Sequence, residues 1–184
     1  MKKEYIIGVG SRARQGKDTV ANIIKEMREN VYIIHWADAL YDELKNKERK
    51  SPLITSVNIG KSGELYYSLL DDATNKIYRL YHHEEVPYLH QIMTERGIKE
   101  YWGMDEKDAP MLQFWGTDFR RRKVNENYWV DKIHEQILLI GMSHDGDDKT
   151  IYILIPDTRF LNEYKKLKSY DWEVQTDIGT SAKF

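Results

Sequence analysis

The sequence has no cysteine among its 184 residues, which excludes disulfide bonds and metal sites built from thiolates. It also has no apolar run approaching the roughly 20 residues that a membrane-spanning helix needs. The amino terminus, Met1-Lys2-Lys3-Glu4, lacks the long apolar segment of a secretory signal peptide. These absences lead us to expect a cytoplasmic protein with no membrane partner.

The sequence also lacks an excess of charge of either sign, since the formal net charge is −2 at pH 7. A near-neutral chain lacks the broad positive field that supports bulk nucleic-acid binding, so we expect no nucleic-acid partner. Basic residues do gather locally, at Arg12, Arg14 and Lys17 and again at 120–123. Such local clusters indicate sites for small anionic ligands; the alternative for each is a solvated surface.

A loop of small residues between a strand and a helix is the most informative feature that is present. Residues 11–19 read Ser-Arg-Ala-Arg-Gln-Gly-Lys-Asp-Thr and follow the apolar run 5–9. Apolar residues at helical spacing come next, at Val20, Ile23, Ile24 and Met27. This layout is typical of a phosphate-binding P-loop, where inward N–H groups and the helix N-terminus favour phosphate. As an exposed loop cation, Lys17 can then reach the outer phosphates of a nucleoside triphosphate.

The loop departs from the common P-loop pattern at two positions. Ser11 stands where the first glycine is usual, and Asp18 stands where Ser or Thr normally contacts Mg²⁺, with Thr19 one position later. Two alternatives remain open. Residues 8–13 also fit the dinucleotide fingerprint G-x-G-x-x-G/A, but that fit predicts a helix opening near Ser11, before the helical spacing begins. The segment can also be a glycine-rich turn with incidental basic residues.

The order of the remaining elements indicates an α/β protein with a parallel sheet. We predict strands at 4–9, 31–36 and 151–155 and helices at 17–29, 37–47, 111–116 and 129–141. The last strand is the most apolar and is predicted to be central. The short helix is predicted to close at Gly116.

Residues 48–106 break this order, and we interpret them as an insertion within a single domain spanning residues 1–184. Their tyrosine-rich segments 64–70 and 76–81 predict a hairpin. An insertion that covers a sheet edge is a common place for a substrate-binding region. The alternative is a surface excursion without a ligand role.

Asp157 follows the strand 151–155, at the edge where open α/β sheets bind their ligands. A P-loop protein places there the Asp that helps to hold Mg²⁺ and its waters. The alternative is that Asp157 caps a helix starting at Phe160.

Three blocks in this order resemble the deoxynucleoside monophosphate kinases of tailed bacteriophages. They are Gly-Lys-Asp-Thr at 16–19, Leu-Gln-Phe-Trp-Gly-Thr-Asp at 112–118 with Asn-Tyr-Trp-Val at 127–130, and Ile-Pro-Asp-Thr-Arg at 155–159. The Asp in the first block, which departs from the general motif, is typical of this family. The resemblance implies a P-loop NTPase-type three-layer fold, with helices on both faces of a parallel sheet and an inserted substrate-binding region. It also implies ATP as donor, Mg²⁺ as cofactor and the host cytoplasm as location.

The resemblance assigns roles by position. At the ATP phosphates it places Gly16, Lys17, Asp18 and Thr19, and at Mg²⁺ it places Thr19, Asp18 and Asp157. At the deoxynucleotide it places Arg12, Ala37, Asp38, Gln113, Gly116, Thr117, Trp129, Asp157 and Thr158. The catalytic candidates are Lys17, Arg14, Asp157, Arg159 and Arg121. Arg121 stands for the cluster 120–122, of which one or two guanidinium groups would suit the transferring phosphate.

The resemblance has one mismatch, at the carboxyl terminus. Family members continue into a basic lid and a loop that holds adenine, and residues 172–184 contain no counterpart. We therefore expect weak ATP affinity and poor donor discrimination. The expected partners are ATP and a deoxynucleoside monophosphate, with a homodimer left open. The alternative functions are another small-molecule P-loop kinase, similar to dephospho-coenzyme A kinase, and a nucleotide-binding relative without strong catalysis.

Overall fold

The computed structural model describes residues 4–10, 16–45, 54–71, 74–81, 86–96, 106–144 and 148–170. In chain order the elements are β1 (Glu4–Val9), α1 (Lys17–Met27), β2 (Val31–Ile33), α2 (Asp38–Lys45), β3 (Ile54–Ile59), β4 (Leu65–Asp71), β5 (Lys76–Tyr81), α3 (Pro87–Arg96), α4 (Ala109–Gln113), a π-helix (Phe114–Val124), α5 (Tyr128–Ser143), β6 (Ile151–Pro156) and α6 (Leu161–Ser169). The protein is therefore mixed α/β. None of the helices in these ranges combines the length and apolar character needed to cross a membrane.

The chain divides into two compact units. The parallel unit consists of Met1–Asp38 and Val130–Phe184, and the antiparallel unit consists of Ala39–Trp129. The segment 48–106 falls wholly within the antiparallel unit. The organisation as one kinase domain with an insertion stays a prediction.

The parallel unit is built on a three-stranded sheet with the order β1-β6-β2. Both outer strands run parallel to β6, with Ile6 opposite Ile153 and Ile33 opposite Leu154. All but one residue of β6 is buried, as expected for a strand covered on both faces. The prediction of a central apolar strand is confirmed. The core of this unit comprises Ile34, Trp36, Val130, Ile133, Ile137, Ile151, Ile153 and Ile155.

Two elements of the parallel unit are shorter than predicted. The predicted strand 31–36 is wrong at its end, because β2 stops at Ile33. The backbone N–H of Ile34 still bonds to Leu154, but His35 and Asp38 then exchange hydrogen bonds that turn the chain. Helix α1 ends two residues early, because Arg28 is extended.

The antiparallel unit contains a second sheet with the order β3-β4-β5. The predicted hairpin is confirmed, since β4 and β5 are antiparallel with Tyr66 opposite Tyr81 and Tyr67 opposite Leu80. A buried cluster joins this sheet to the helices of the unit through Leu44, Leu69, Leu80, Leu89, Ile92, Met111, Phe114, Trp115, Phe119 and Trp129. The described residues of the insertion therefore contribute to the core of this unit, and its role in binding a substrate stays a prediction.

The prediction of a helix that closes at Gly116 is wrong. Helix α4 begins at Ala109, where Asp108 accepts a hydrogen bond from the N–H of Met111, and it continues directly into the π-helix. Gly116 is buried inside that helix, and a Cβ there would lie 2.8 Å from a methyl group of Leu40. A glycine at this position reflects close packing rather than a helix stop.

Candidate phosphate- and metal-binding site

The loop after β1 ends in a left-handed glycine at the start of a helix. Gly16 adopts a φ of 75° immediately before α1 begins at Lys17. This conformation favours glycine because a Cβ would be strained there. The predicted strand before this segment and the predicted helix after it are confirmed, and residues 11–15 lie outside the described residues. The helix begins at Lys17, after a non-helical Gly16, whereas the dinucleotide alternative predicts a start near Ser11. Arg12 and Arg14 lie outside the described residues.

Lys17 and Asp18 open helix α1 and contact each other. Lys17 Nζ lies 3.2 Å from Asp18 Oδ2, and the lysine side chain is 13% exposed. The expectation of an exposed loop cation is therefore wrong, because Lys17 belongs to the helix and most of its side chain is covered. Asp18 and Thr19 are exposed. A phosphate bound here would have to replace Asp18 as the partner of the ammonium group.

Asp157 combines a strained backbone with a buried carboxylate oxygen. Its φ is 124°, a region that residues with a side chain rarely adopt, and its backbone N–H bonds to Val9 at 3.0 Å. Its Oδ1 is buried and has no hydrogen-bond partner among the described residues. Strain of this kind costs about 1–3 kcal/mol and is concentrated at functional sites. Burial raises the pKa of the Asp157 carboxyl above its usual value, with opposing contributions led by His35.

The alternative role of Asp157 as a helix cap is excluded by the start of α6. The N–H groups of Arg159 and Phe160 both donate to Glu163 Oε2, at 2.8 and 3.0 Å. Glu163 is buried in the first turn of α6, and its carboxylate satisfies these N–H groups at the start of the helix. Asp157 is left with a carboxylate oxygen that the fold does not use.

Two residues that sequence reasoning missed, His35 and Trp36, hold the end of β6. His35 Nδ1 lies 3.9 Å from Asp157 Oδ1, and the nearby backbone N–H of Trp36 helps to lower the pKa of the same carboxyl. The indole Nε1 of Trp36 donates to Thr158 Oγ1 at 3.1 Å. The signal that could have found them is a histidine at the carboxyl end of an apolar strand, where α/β sheets place their ligands.

Asp38 is engaged within the same loop. Its Oδ2 accepts from the backbone N–H of His35 at 2.7 Å, and its own N–H donates to the carbonyl of His35 at 3.0 Å. Ala37, between Trp36 and Asp38, is half-buried in the turn. The predicted acceptor contacts Ala37 and Asp38 thus lie beside Asp157 and Thr158, as expected for two strand ends of one sheet.

The residues around Asp157 bring charges of both signs to one carboxylate. Lys17 and Arg159 act on its carboxylate as positive charges, after His35 and the N–H of Trp36. The orphaned Oδ1 fits a Mg²⁺ ion, which prefers oxygen ligands. Within the described ranges no three His, Asp or Glu side chains form a metal-holding group. An ion bound by Asp157 would therefore take its other ligands from phosphate oxygens and water, as Mg²⁺ commonly does.

The remaining predicted site residues lie in the antiparallel unit. Trp129 is 2% exposed and donates from Nε1 to the carbonyl of Gly116 at 2.8 Å. This contact anchors the start of α5 to the π-helix. Gln113 is exposed at the end of α4, and Thr117 is half-buried in the π-helix.

The basic cluster 120–123 separates into different environments. Arg120 is fully buried; it bonds to Glu43 at 3.0 Å and to Asp71 at 2.7 Å, and its guanidinium lies within about 5 Å of the rings of Trp115, Phe119 and Tyr128. Its role is structural, so it no longer counts among the candidate phosphate ligands. Arg121 is half-buried and Arg122 is exposed.

Comparison with protein-family models finds no match, and no curated protein matches the sequence. The motifs at 16–19, 112–118 and 155–159 therefore remain the basis of the family resemblance. Of these motifs, the first and third lie in the parallel unit, where the first follows β1 and the third includes the carboxyl end of β6, its parallel neighbour.

Proposed function

We propose that this protein transfers the γ-phosphoryl group of ATP to a deoxynucleoside monophosphate and so makes the diphosphate for DNA precursor synthesis. The observation that carries the proposal is Asp157, whose buried carboxylate keeps an unpaired oxygen at the carboxyl end of β6. A fold rarely retains a strained backbone and an unpaired buried oxygen at one residue without a ligand role.

The proposal includes a P-loop NTPase-type three-layer fold. Its support is the parallel sheet, the left-handed Gly16 and the helix that begins at Lys17. The N-terminus of α1 carries unpaired N–H groups and a positive partial charge, which together favour phosphate.

The proposed reaction joins an oxygen of the acceptor phosphate to the γ-phosphorus and breaks the bond from that phosphorus to the bridging oxygen of ADP. No covalent intermediate with the protein is needed, so the residues act by positioning and charge stabilisation. Lys17, Arg159, Arg14 and Arg121 are the proposed cations, and Asp157 would hold Mg²⁺ with Asp18 or Thr19. The ion would neutralise charge on the phosphates.

The acceptor contacts are proposed from the resemblance, with one change of role. Gln113, Thr117 and Gly116 remain proposed contacts to the deoxynucleotide, along with Arg12, Ala37, Asp38 and Thr158. Trp129 is better assigned to support them, because its ring is buried and its N–H is bonded to Gly116.

One contact favours a second candidate function, nucleotide binding without efficient transfer. Lys17 Nζ lies against Asp18, so the lysine would have to leave a carboxylate before it could reach a phosphate. The two functions differ in whether ADP is released when an acceptor is supplied.

The test is a coupled assay of ADP release with ATP, Mg²⁺ and each of dAMP, dCMP, dGMP and dTMP. We expect release that depends on at least one acceptor and is lost in Asp157→Asn. Asp131→Asn, on the exposed side of α5 in the same unit, is the matched control and should keep full activity. Acceptor-independent nucleotide binding without ADP release would instead support the second function, and equal activity in the two variants would contradict the role of Asp157.

A further inference from the structure

Two consecutive residues after β2 contact two consecutive residues after β6. The ring of His35 approaches the carboxylate of Asp157, and the indole of Trp36 donates to Thr158. The two strand ends are thereby joined by side chains as well as by the sheet. Of these contacts, only the one from His35 is directed at the carboxylate oxygen that has no other partner.

The backbone of His35 is itself held in place. Asp38 accepts its N–H and donates to its carbonyl, which makes a closed turn at the start of α2. The ring of His35 is 35% exposed, whereas the side chain of Asp157 is 15% exposed. Asp38 therefore fixes the backbone from which the imidazole reaches the more buried carboxylate.

We infer that His35 is a positioning residue that orients the carboxylate of Asp157 toward a bound Mg²⁺–nucleotide, and that Asp38 acts through His35. The inference rests on the proposed nucleotide-binding function and adds two residues to its site. It requires a proton on Nδ1, which both the cation and the neutral tautomer protonated at Nδ1 provide.

The distances explain why such a partner is useful. Asp157 has a strained backbone, and none of the described residues donates a hydrogen bond to its buried Oδ1. At 3.9 Å, His35 Nδ1 is about 1 Å beyond hydrogen-bond distance, which a small rotation of either side chain removes. Removing a group that orients a metal-binding carboxylate typically lowers metal affinity by roughly 10–100-fold.

The experiment measures ADP binding by calorimetry, with and without MgCl₂, in wild type and three His35 variants. His35→Leu should weaken ADP binding in the presence of Mg²⁺ about 10-fold and leave binding in its absence unchanged. His35→Asn should recover most of the loss, because its amide nitrogen lies near the position of Nδ1, whereas His35→Gln, with a longer side chain, should recover less. His134→Leu is the control, since that histidine lies in α5 of the same unit and contacts Tyr170 instead.

Asp38 offers an independent arm of the same experiment. If Asp38 acts through His35, Asp38→Ala weakens ADP binding with Mg²⁺ although no acceptor is present, and the double variant His35→Leu/Asp38→Ala is no weaker than His35→Leu. If Asp38 only contacts the acceptor phosphate, ADP binding in Asp38→Ala matches wild type, and this part of the inference is wrong.

The outcomes separate the inference from the proposed function. Wild type that binds ADP no better with Mg²⁺ than without it would overturn both. Mg²⁺-dependent binding that is equal in wild type and His35→Leu would overturn the inference alone. Equal losses in His35→Leu and His35→Asn would also overturn it, because the effect would then follow the loss of the ring and not of the nitrogen.

Discussion

Arg120 donates a 2.7 Å hydrogen bond to Asp71, and neither side chain has any surface exposed to solvent. Glu43 accepts from the Nε of the same guanidinium and also from the indole of Trp115. One buried cation therefore joins α2, β4 and the π-helix of the antiparallel unit. The cost of burying these charges is offset only while all the partners are present.

We predict that Arg120→Met and Asp71→Leu each lower the free energy of unfolding by about 3–5 kcal/mol, because each leaves a buried charge without one of its charged partners. The double variant should recover part of this loss, since it removes the buried Arg120–Asp71 pair while Glu43 keeps the bond from Trp115. Urea denaturation gives the measurement. Lys132→Met, in an exposed pair with Glu135, is the control and should change stability by under about 1 kcal/mol. A double variant as unstable as the sum of the single variants would contradict the coupling.

Lys17→Ala is predicted to abolish phosphoryl transfer while the fold stays intact. Loss of one preorganised cation at the transferring phosphate should cost about 3 kcal/mol or more of transition-state stabilisation. The truncation removes an ion pair with Asp18, which is exposed, so the fold should survive the change. Steady-state kinetics and a thermal melt are the measurements, with Lys25→Ala on the exposed surface of the same helix as control. Turnover equal to wild type would make the P-loop interpretation wrong.

Trp129→Ala is predicted to lower the free energy of unfolding by about 3–5 kcal/mol, because it empties a buried site. Trp129→Phe keeps most of the volume and loses the hydrogen bond to Gly116, at a cost of about 1–3 kcal/mol. A Trp129→Phe variant with normal stability and a selective defect in acceptor binding would contradict the structural role and support a direct contact with the deoxynucleotide.

Thr117→Val, at a half-buried position, should raise the Michaelis constant for the deoxynucleotide and leave that for ATP unchanged.

Asp118 provides a test of pH dependence. Burial raises the pKa of its carboxyl above the ordinary 3.8, and its Oδ2 has no hydrogen-bond partner among the described residues. The folded state therefore holds the proton more tightly than the unfolded state, so the stabilising effect of protonation is complete below pH 3.8 and is lost as pH rises through the raised pKa.

Asp118→Asn should consequently be more stable than wild type at pH 7, by on the order of 1 kcal/mol, because it removes a poorly solvated charge. The advantage should shrink as pH is lowered from 7 toward 4. Urea midpoints of both proteins across that range are the measurement, and Asp131→Asn at an exposed position is the control. A difference that is constant with pH would mean that the effect is not electrostatic.

Local patterns in the sequence predicted most of the elements of the parallel unit. Each of these signals is a hydrophobic pattern confined to a few consecutive residues. They are the apolar run before the loop, the helical spacing from Val20 to Met27 and the apolar strand 151–155. The hairpin 64–81 was predicted in the same way. The end of β2 was not, because Asp38 takes the N–H of His35 and turns the chain inside an apolar run.

The sequence by itself determined which strand each candidate motif follows. The Gly-Lys motif comes after β1 and Asp157 after β6, because hydrophobic runs and the residues that end them mark both strands. Only the tertiary structure decided which polar side chains keep an unbonded atom and which are buried and hydrogen-bonded in the core. Arg120 is separated from Asp71 by 49 positions and from Glu43 by 77, and His35 meets Asp157 because β2 and β6 are neighbours in the sheet. Burial and pairing depend on such long-range contacts, which local hydrophobic periodicity does not encode. These contacts show that Arg120 is structural and that Asp157 does not cap α6.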